Sequence, residues 1–253
     1  MFKAVNQFFI ADNKIHTVRS SACVLPPPQN HVYEVFRVIN SVPLFLEDHI
    51  ERLELSLNAH EIEVDKNEIL KNIKTLLQLN QLVDGNIRIS FWKSELNVHS
   101  MYIYDEHSYP NKIMFEEGIE LGIIHKERFN PNVKFFDSEM REIAKKSITT
   151  NNFYEVILVT ADNRITECSR SNIFFIKNNK VFSPPANQVL EGVTRKKIIE
   201  IINEEKIDFE EKNIYIEELK NFDSCFISGT SKRVLPAKSI ENIDKTYNCK
   251  NET

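Results

Sequence analysis

Glycine is the residue this chain most plainly lacks. Ordinary usage near 7% would give about 18 glycines at this length, whereas the 253 residues contain 5. Collagen-like and glycine-rich low-complexity architectures are excluded, and each remaining glycine becomes worth locating. Cysteine is sparse as well. Cys23, Cys168, Cys225 and Cys249 lie far apart, with no C-x-x-C pair and no histidine-rich neighbourhood. That pattern argues against a zinc site, any other metal centre or a secreted disulfide framework, and it suits a reduced cytoplasm. Charge of one sign is not concentrated: 32 Lys and Arg stand against 37 Asp and Glu, for a net charge of −5. No stretch gathers the basic cluster that nucleic acid or an acidic membrane surface requires. Long hydrophobic runs are missing too, since no window reaches the roughly 18 apolar residues of a membrane span. The opening run, Met1 to Lys14, has no long apolar segment followed by a small-residue cleavage site, so the chain reads as soluble and untargeted.

What remains is a composition of 42% hydrophobic and 27% charged residues, enough for one large core or two modest domains at about 100 to 200 residues each. Val32 to Ile39 is β-branched and aromatic, and Asn40-Ser41 supplies a hairpin turn before a returning strand at Leu44 to Leu46. From Asp48 the apolar residues Ile50, Leu53 and Leu57 share one helical face, and from Asp65 a second helix carries Ile69, Ile73, Leu76 and Leu77, with Glu68 placed as a capping-box partner. Asn86 to Phe91 and Met101 to Tyr104 read as strands, which makes this part a mixed sheet with helices on one side. A polar seam with proline follows at Asp105 to Asn111, so we place a small N-terminal domain at 1–110 and a larger, strand-rich domain at 111–253. Strands are expected in the second part at Ile119 to Ile124, Glu155 to Thr160, Asn172 to Ile176, Lys180 to Phe182 and near Cys225 to Ser228, with a helix from Thr194 to Asn203. The fold class is α+β.

The most specific run is Ile165-Thr166-Glu167-Cys168-Ser169-Arg170-Ser171-Asn172, followed by Gly192-Val193-Thr194-Arg195. A carboxylate ahead of small polar residues and an apolar strand would sit at a sheet edge facing a cleft; taken alone, Glu167 also reads as a solvated turn residue. Gly192 to Arg195 ends an extended segment and opens a helix, and a helix N-terminus offers unpaired N–H groups and partial positive charge to a phosphate. Gly229 lies in Ser228-Gly229-Thr230-Ser231, a hydroxyl-rich turn after the last strand. Singly, each reads as an ordinary helix start or turn.

Together with Val32-Tyr33-Glu34-Val35-Phe36-Arg37-Val38 and Phe45-Leu46-Glu47-Asp48-His49-Ile50-Glu51-Arg52-Leu53, these motifs run nearly the length of the chain. In that order and at those separations the sequence resembles the class IV family of pyridoxal-phosphate enzymes, which includes branched-chain and D-amino-acid aminotransferases and aminodeoxychorismate lyase. The resemblance implies a two-domain fold type IV enzyme, pyridoxal 5'-phosphate between the domains, and a homodimer, because the family builds its active sites close to a subunit interface.

The family also needs a lysine for the Schiff base, and the motifs leave several open. In the D-amino-acid aminotransferase pattern that lysine stands 21 residues before the glutamate of a Tyr-Glu strand start; Lys134 stands 21 residues before Glu155, in Tyr154-Glu155. Val133, Phe135 and Phe136 would desolvate its amine and lower its pKa, as a nucleophilic lysine requires. Lys145 and Lys146 read instead as solvated partners of Glu139 and Glu142 on a helix.

The resemblance carries further roles. Glu167 would keep the pyridine nitrogen protonated. Arg52 would pair with the phosphate, which the amides of Val193 and Thr194 and the Thr230 hydroxyl would complete. On the substrate side, Tyr33 matches a position facing the substrate, and Arg88 matches an arginine near its carboxylate; Arg88 reads equally as an exposed residue of a half-buried strand, and Arg37 alternates outward beside Tyr33. The implied activity is transamination between an amino acid and a 2-oxo acid. Two alternatives stand beside it: elimination of pyruvate by an aminodeoxychorismate lyase using the same lysine, and a degenerate homologue that binds without turnover. Local departures fall around the pocket. Pro26-Pro27-Pro28-Gln29-Asn30-His31 replaces a glycine-rich approach, Glu139 stands where branched-chain enzymes place a tyrosine, and Cys168 replaces the glycine after the pyridine-binding glutamate.

Overall fold

The computed structural model describes residues 5, 7–19, 26–81, 84–95 and 97–250, which leaves Cys23 outside. The chain divides into two compact units, Met1–Ser108 with Val133–Asp137, and Tyr109–Asn132 with Ser138–Thr253. Helices and two separate sheets make the fold α+β.

The first unit contains β1 (Phe8–Ala11), β2 (Lys14–Thr17), β3 (His31–Ile39), β4 (Val42–Pro43), β5 (Gly85–Lys93) and β6 (Val98–Asp105), with α1 (Leu46–Ala59) and α2 (Lys66–Asn80). The second opens with α3 (Lys112–Glu117) and β7 (Ile119–His125). The chain then returns to the first unit for β8 (Phe135–Phe136), which pairs with His31 and Val32 at the edge of β3. The second unit resumes with α4 (Ser138–Asn151), β9 (Glu155–Val159), β10 (Arg164–Cys168), β11 (Asn172–Lys177), β12 (Lys180–Ser183), α5 (Val193–Glu204), β13 (Phe209–Glu211), β14 (Ile214–Tyr215), β15 (Ser224–Gly229) and β16 (Arg233–Ile240).

In the first unit the sheet order is β2-β1-β6-β5-β3-β4. Alternation along β3 sends Val32, Phe36 and Val38 into one core with Ile50, Leu53 and Leu57 of α1 and Ile69, Ile73 and Leu76 of α2. Each such fully buried side chain contributes about 1.5 to 3 kcal/mol by leaving water. Tyr33, Val35 and Arg37 point to the opposite face, and β5 sets Arg88 directly across from Val35. Asn40 and Ser41 both have positive φ, 50° and 63°, as a tight hairpin turn of matching twist requires. The returning strand is shorter and earlier than the sequence suggests, Val42–Pro43 rather than Leu44 to Leu46, and α1 starts at Leu46 rather than Asp48. The cause is Phe45, whose left-handed backbone (φ 51°) turns the chain out of the ladder and into the helix. Asp65 caps α2 by accepting from the Asn67 amide at 2.9 Å.

The second unit carries a sheet in the order β13-β12-β11-β15-β16-β7-β9-β10-β14. Its core joins Leu121, Ile157, Val159, Ile165, Ile173, Phe175, Ile227, Leu235 and Ala237. Gly118 precedes β7 with φ 79°, and a Cβ there would lie 2.4 Å from Cys249 Sγ and 2.9 Å from the Lys238 amide nitrogen, so both backbone shape and space demand glycine. β10 and β11 are consecutive in the chain yet stand far apart in the sheet order, joined by the short turn Ser169 to Ser171 and an isolated bridge between Cys168 and Ser171.

Candidate active site

In the first unit, Lys134 is placed beside Tyr33 by the strand edge that carries it. Tyr33 N–H donates to the Lys134 carbonyl at 3.2 Å, and Lys134 N–H donates to Ser56 Oγ at 3.0 Å. The Lys134 Nζ lies 4.8 Å from the centre of the Tyr33 ring, and the Arg88 guanidinium carbon 5.2 Å from the same ring. An aromatic face attracts cations in this geometry. The structure thus brings together Lys134, Tyr33 and Arg88. Arg88 is fixed by Asp105, which accepts from Nε at 2.7 Å and lies 2.6 Å from Nη2. Val133 is buried, Phe135 stacks on His60 at 4.5 Å, and Phe136 stacks on His31 at 5.0 Å. The half-buried lysine is therefore flanked by apolar and aromatic surface.

Beside it, on the helix-facing side of β3, Glu34 is fully buried and gathers two basic residues of α1. Arg52 donates Nε to Oε2 at 2.9 Å and Nη2 to Oε1 at 2.6 Å, and His49 Nδ1 lies 3.1 Å from Oε1. Burial alone would raise the Glu34 carboxyl, but the Arg52 charge and the His49 contacts reverse this and hold it well below the usual carboxylate range. A forked guanidinium locked in this way has a defined orientation. His31 is buried with Nδ1 bonded to the Pro28 carbonyl at 2.9 Å, and burial lowers its pKa to about 4 against that bond, with the Arg88 charge adding to the fall.

In the second unit, Glu167 is a strand residue of β10, 2% exposed, and not a solvated turn residue. Its Oε1 accepts from Arg128 Nε at 2.8 Å and from the Leu190 amide at 3.2 Å. Its Oε2 has no protein partner among the described residues. A buried carboxylate pinned through one oxygen and open at the other is set to receive a further donor.

Gly192 precedes α5, and no side chain caps the helix. Among the described residues the amides of Val193 and Thr194 have no acceptor, so they present the donor end of a helix dipole. A Cβ on Gly192 would fall 2.1 Å from Asn172 Oδ1, while Asn172 Nδ2 donates to the Leu190 carbonyl at 2.7 Å. The glycine is therefore required by the close approach of Asn172. Gly229 is different: a Cβ there meets only ordinary contact at 3.5 Å, with the Arg170 carbonyl. Thr230 follows it in the turn, half-buried, with no hydroxyl partner among the described residues.

Lys145 and Lys146 are exposed on α4, and Glu139 pairs with Lys126 at 2.9 Å rather than with either of them. Sequence alone does not single out Arg128, whose loop of charged and polar residues looks solvated, or the roles of Glu34 and His49. A glutamate at an inward position of an apolar strand, ahead of a helix with His49 and Arg52 one turn apart, is the signal that could have found the latter. Among the described residues no group of three or more His, Cys, Asp or Glu is placed to hold a metal ion. No helix among them is long and apolar enough to cross a membrane.

Residues 31–240 match the amino-transferase class IV family model. A probable branched-chain-amino-acid aminotransferase of Rickettsia conorii is 28% identical over 229 residues, covering 84% of this chain and 77% of that protein. The aminodeoxychorismate lyase of Bacillus subtilis is 28% identical over 232 residues, covering 84% and 78%. Among solved structures, the T.th. branched-chain amino acid aminotransferase with pyridoxamine 5'-phosphate superposes with a TM-score of 0.82 at 18% identity, covering 95% of this chain and 87% of that one.

Proposed function

This chain belongs to the amino-transferase class IV family and is an enzyme, and we propose that it moves an amino group between an amino acid and a 2-oxo acid with pyridoxal 5'-phosphate as cofactor. The observation that carries this reading is the buried Glu167 carboxylate with Oε2 open, because a protonated ring nitrogen is the donor it lacks. The residues present fit the rest of the group: unpaired amides at Val193 and Thr194 and the Thr230 hydroxyl suit a phosphate. When bound, the cofactor draws electrons from the substrate Cα, provided its ring nitrogen stays protonated.

Glu167 would keep that nitrogen protonated. Arg52, oriented by Glu34, supplies the phosphate with a guanidinium. Lys134 would be the lysine that holds the cofactor, and its Nζ, in a half-buried apolar and aromatic setting, would act as the base for the substrate Cα proton. Tyr33 and Arg88 stand on the substrate side, with Asp105 fixing the arginine. In this reading the protein works as a homodimer in a reduced cytoplasm, where the buried Cys168 and Cys225 remain thiols.

A second reading, pyruvate elimination from aminodeoxychorismate, uses the same lysine and cofactor. The Glu167-Cys168 pairing, which resembles that of aminodeoxychorismate lyases, favours it, and the Bacillus subtilis lyase is among the relatives. Purified protein given amino acids with 2-oxoglutarate, and separately aminodeoxychorismate alone, separates the two. New glutamate and the matching oxo acid are the expected products. Pyruvate from aminodeoxychorismate without amino transfer would replace the first reading by the second, and neither product would make the chain a non-catalytic homologue.

A further inference from the structure

Lysine is seldom buried unless paired, and Lys232, in the hydroxyl-rich turn after Thr230, is a residue that sequence alone would leave in solvent. It is 9% exposed. Its Nζ donates to Glu155 Oε2 and, at 2.6 Å, to Ser171 Oγ, over the face of the Tyr154 ring. Glu155 has no exposed surface and also accepts from Ser169 Oγ at 2.5 Å and from the Val156 amide at 3.1 Å, both on Oε1. Burial alone would raise the Glu155 carboxyl, but the Lys232 and Arg170 charges hold it down at about 2, while burial lowers the Lys232 pKa against the opposing pull of Glu155.

A buried ion pair is an inefficient way to stabilise a core, since apolar residues of similar volume commonly do as well or better. What this pair does accomplish is a connection. Glu155 opens β9, Ser169 and Ser171 belong to the turn that follows Glu167, and Lys232 leads from the Thr230 turn into β16. Without Lys232, Glu155 would still hold the Ser169 turn through hydroxyl bonds, but the Gly229 to Lys232 turn would lose this side-chain anchor.

We propose that Lys232 is a positioning residue that locks the Gly229 to Lys232 turn onto Glu155 and so fixes Thr230 for the phosphate of the cofactor. The proposal rests on the pyridoxal-phosphate reading of the site. It assigns Lys232 no contact with the cofactor and no proton-transfer role. The effect falls mainly on the phosphate end: the Glu167 turn loses the Lys232 bond to Ser171 but keeps its own hydroxyl bonds to Glu155.

The test compares uptake of pyridoxal 5'-phosphate with that of pyridoxal, which lacks the phosphate, by spectroscopic titration of wild type, Lys232→Met and the double variant Glu155→Gln/Lys232→Met. The double variant removes both charges, so it retains the comparison if the single one leaves an unpaired carboxylate and does not fold. Both variants should bind pyridoxal 5'-phosphate about tenfold or more weakly, while their affinity for pyridoxal changes by less than about twofold. Parallel loss of both affinities would reduce Lys232 to a structural residue, and unchanged affinity for both would remove it from the site; either result overturns the proposal. Wild-type protein that takes up neither compound overturns the cofactor reading itself, whereas normal wild-type uptake with unaltered variants overturns the Lys232 assignment alone.

Discussion

Arg128 and Glu167 form a buried ion pair at 2.8 Å that uses one carboxylate oxygen and leaves the other without a partner among the described residues. The arrangement separates orientation from the proposed function: Oε1 holds the side chain in place, and Oε2 is the oxygen proposed to meet the cofactor ring nitrogen. Removing the charge at Glu167 and removing its anchor should therefore have different consequences. Glu167→Gln is expected to lower kcat by about 10²-fold or more, the scale of losing one preorganised electrostatic group. Arg128→Met should cost less, because the Leu190 amide still bonds Oε1. Steady-state kinetics on the two variants decides the matter, and equal losses would place Arg128 among the residues that act on substrate or cofactor directly.

Gly192 makes a second expectation quantitative. Its backbone is unstrained, so the cost of a side chain there is steric alone: a Cβ would sit 2.1 Å from Asn172 Oδ1, far inside contact distance. Asn172 cannot retreat without losing its bond to the Leu190 carbonyl, and Leu190 also donates to Glu167. Gly192→Ala should destabilise the protein by about 1 to 3 kcal/mol and weaken cofactor uptake, as read by urea denaturation and by titration. Gly229→Ala, with its nearest contact at 3.5 Å, should be much milder.

The buried histidine near Tyr33 predicts the direction of acid sensitivity. His31 titrates at about 4 in the folded chain against an ordinary 6.5, mainly through burial. The unfolded chain therefore binds more protons between those values, and stability falls as pH drops from about 6.5 to about 4. His49, lowered in the same direction, adds to that slope. His31→Gln should flatten the dependence of unfolding free energy on pH in this window, measured by denaturant titration at a series of pH values. An unchanged slope would mean that His31 is not held neutral.

Much of the architecture was visible as periodicity. The strand Val32 to Ile39 and the helix Thr194 to Asn203 appear within a residue or so of their expected bounds, as His31–Ile39 and Val193–Glu204, because each has an apolar face that a neighbouring layer must bury. The start of α1 was not visible, since it depends on the left-handed backbone of Phe45, a conformation for which a bulky residue carries no signal. At the candidate site the same division holds. Glu167, Val193, Thr194 and Thr230 stand out as local motifs, whereas Arg128, 39 residues from its partner, and Lys232, 77 residues from Glu155, acquire meaning only when the chain brings distant charges together. Periodicity reports which face is buried, and it carries no information about which charge meets which.

The proposed bond between Lys134 and the cofactor is open to a direct chemical test. Purified protein loaded with pyridoxal 5'-phosphate, reduced with borohydride and mapped by peptide mass spectrometry should carry the pyridoxyl group on the peptide containing Lys134, and Lys134→Ala should carry none. A label on Lys145, Lys146 or the buried Lys232 instead, or a protein that takes up no cofactor, would rule out Lys134 in this role.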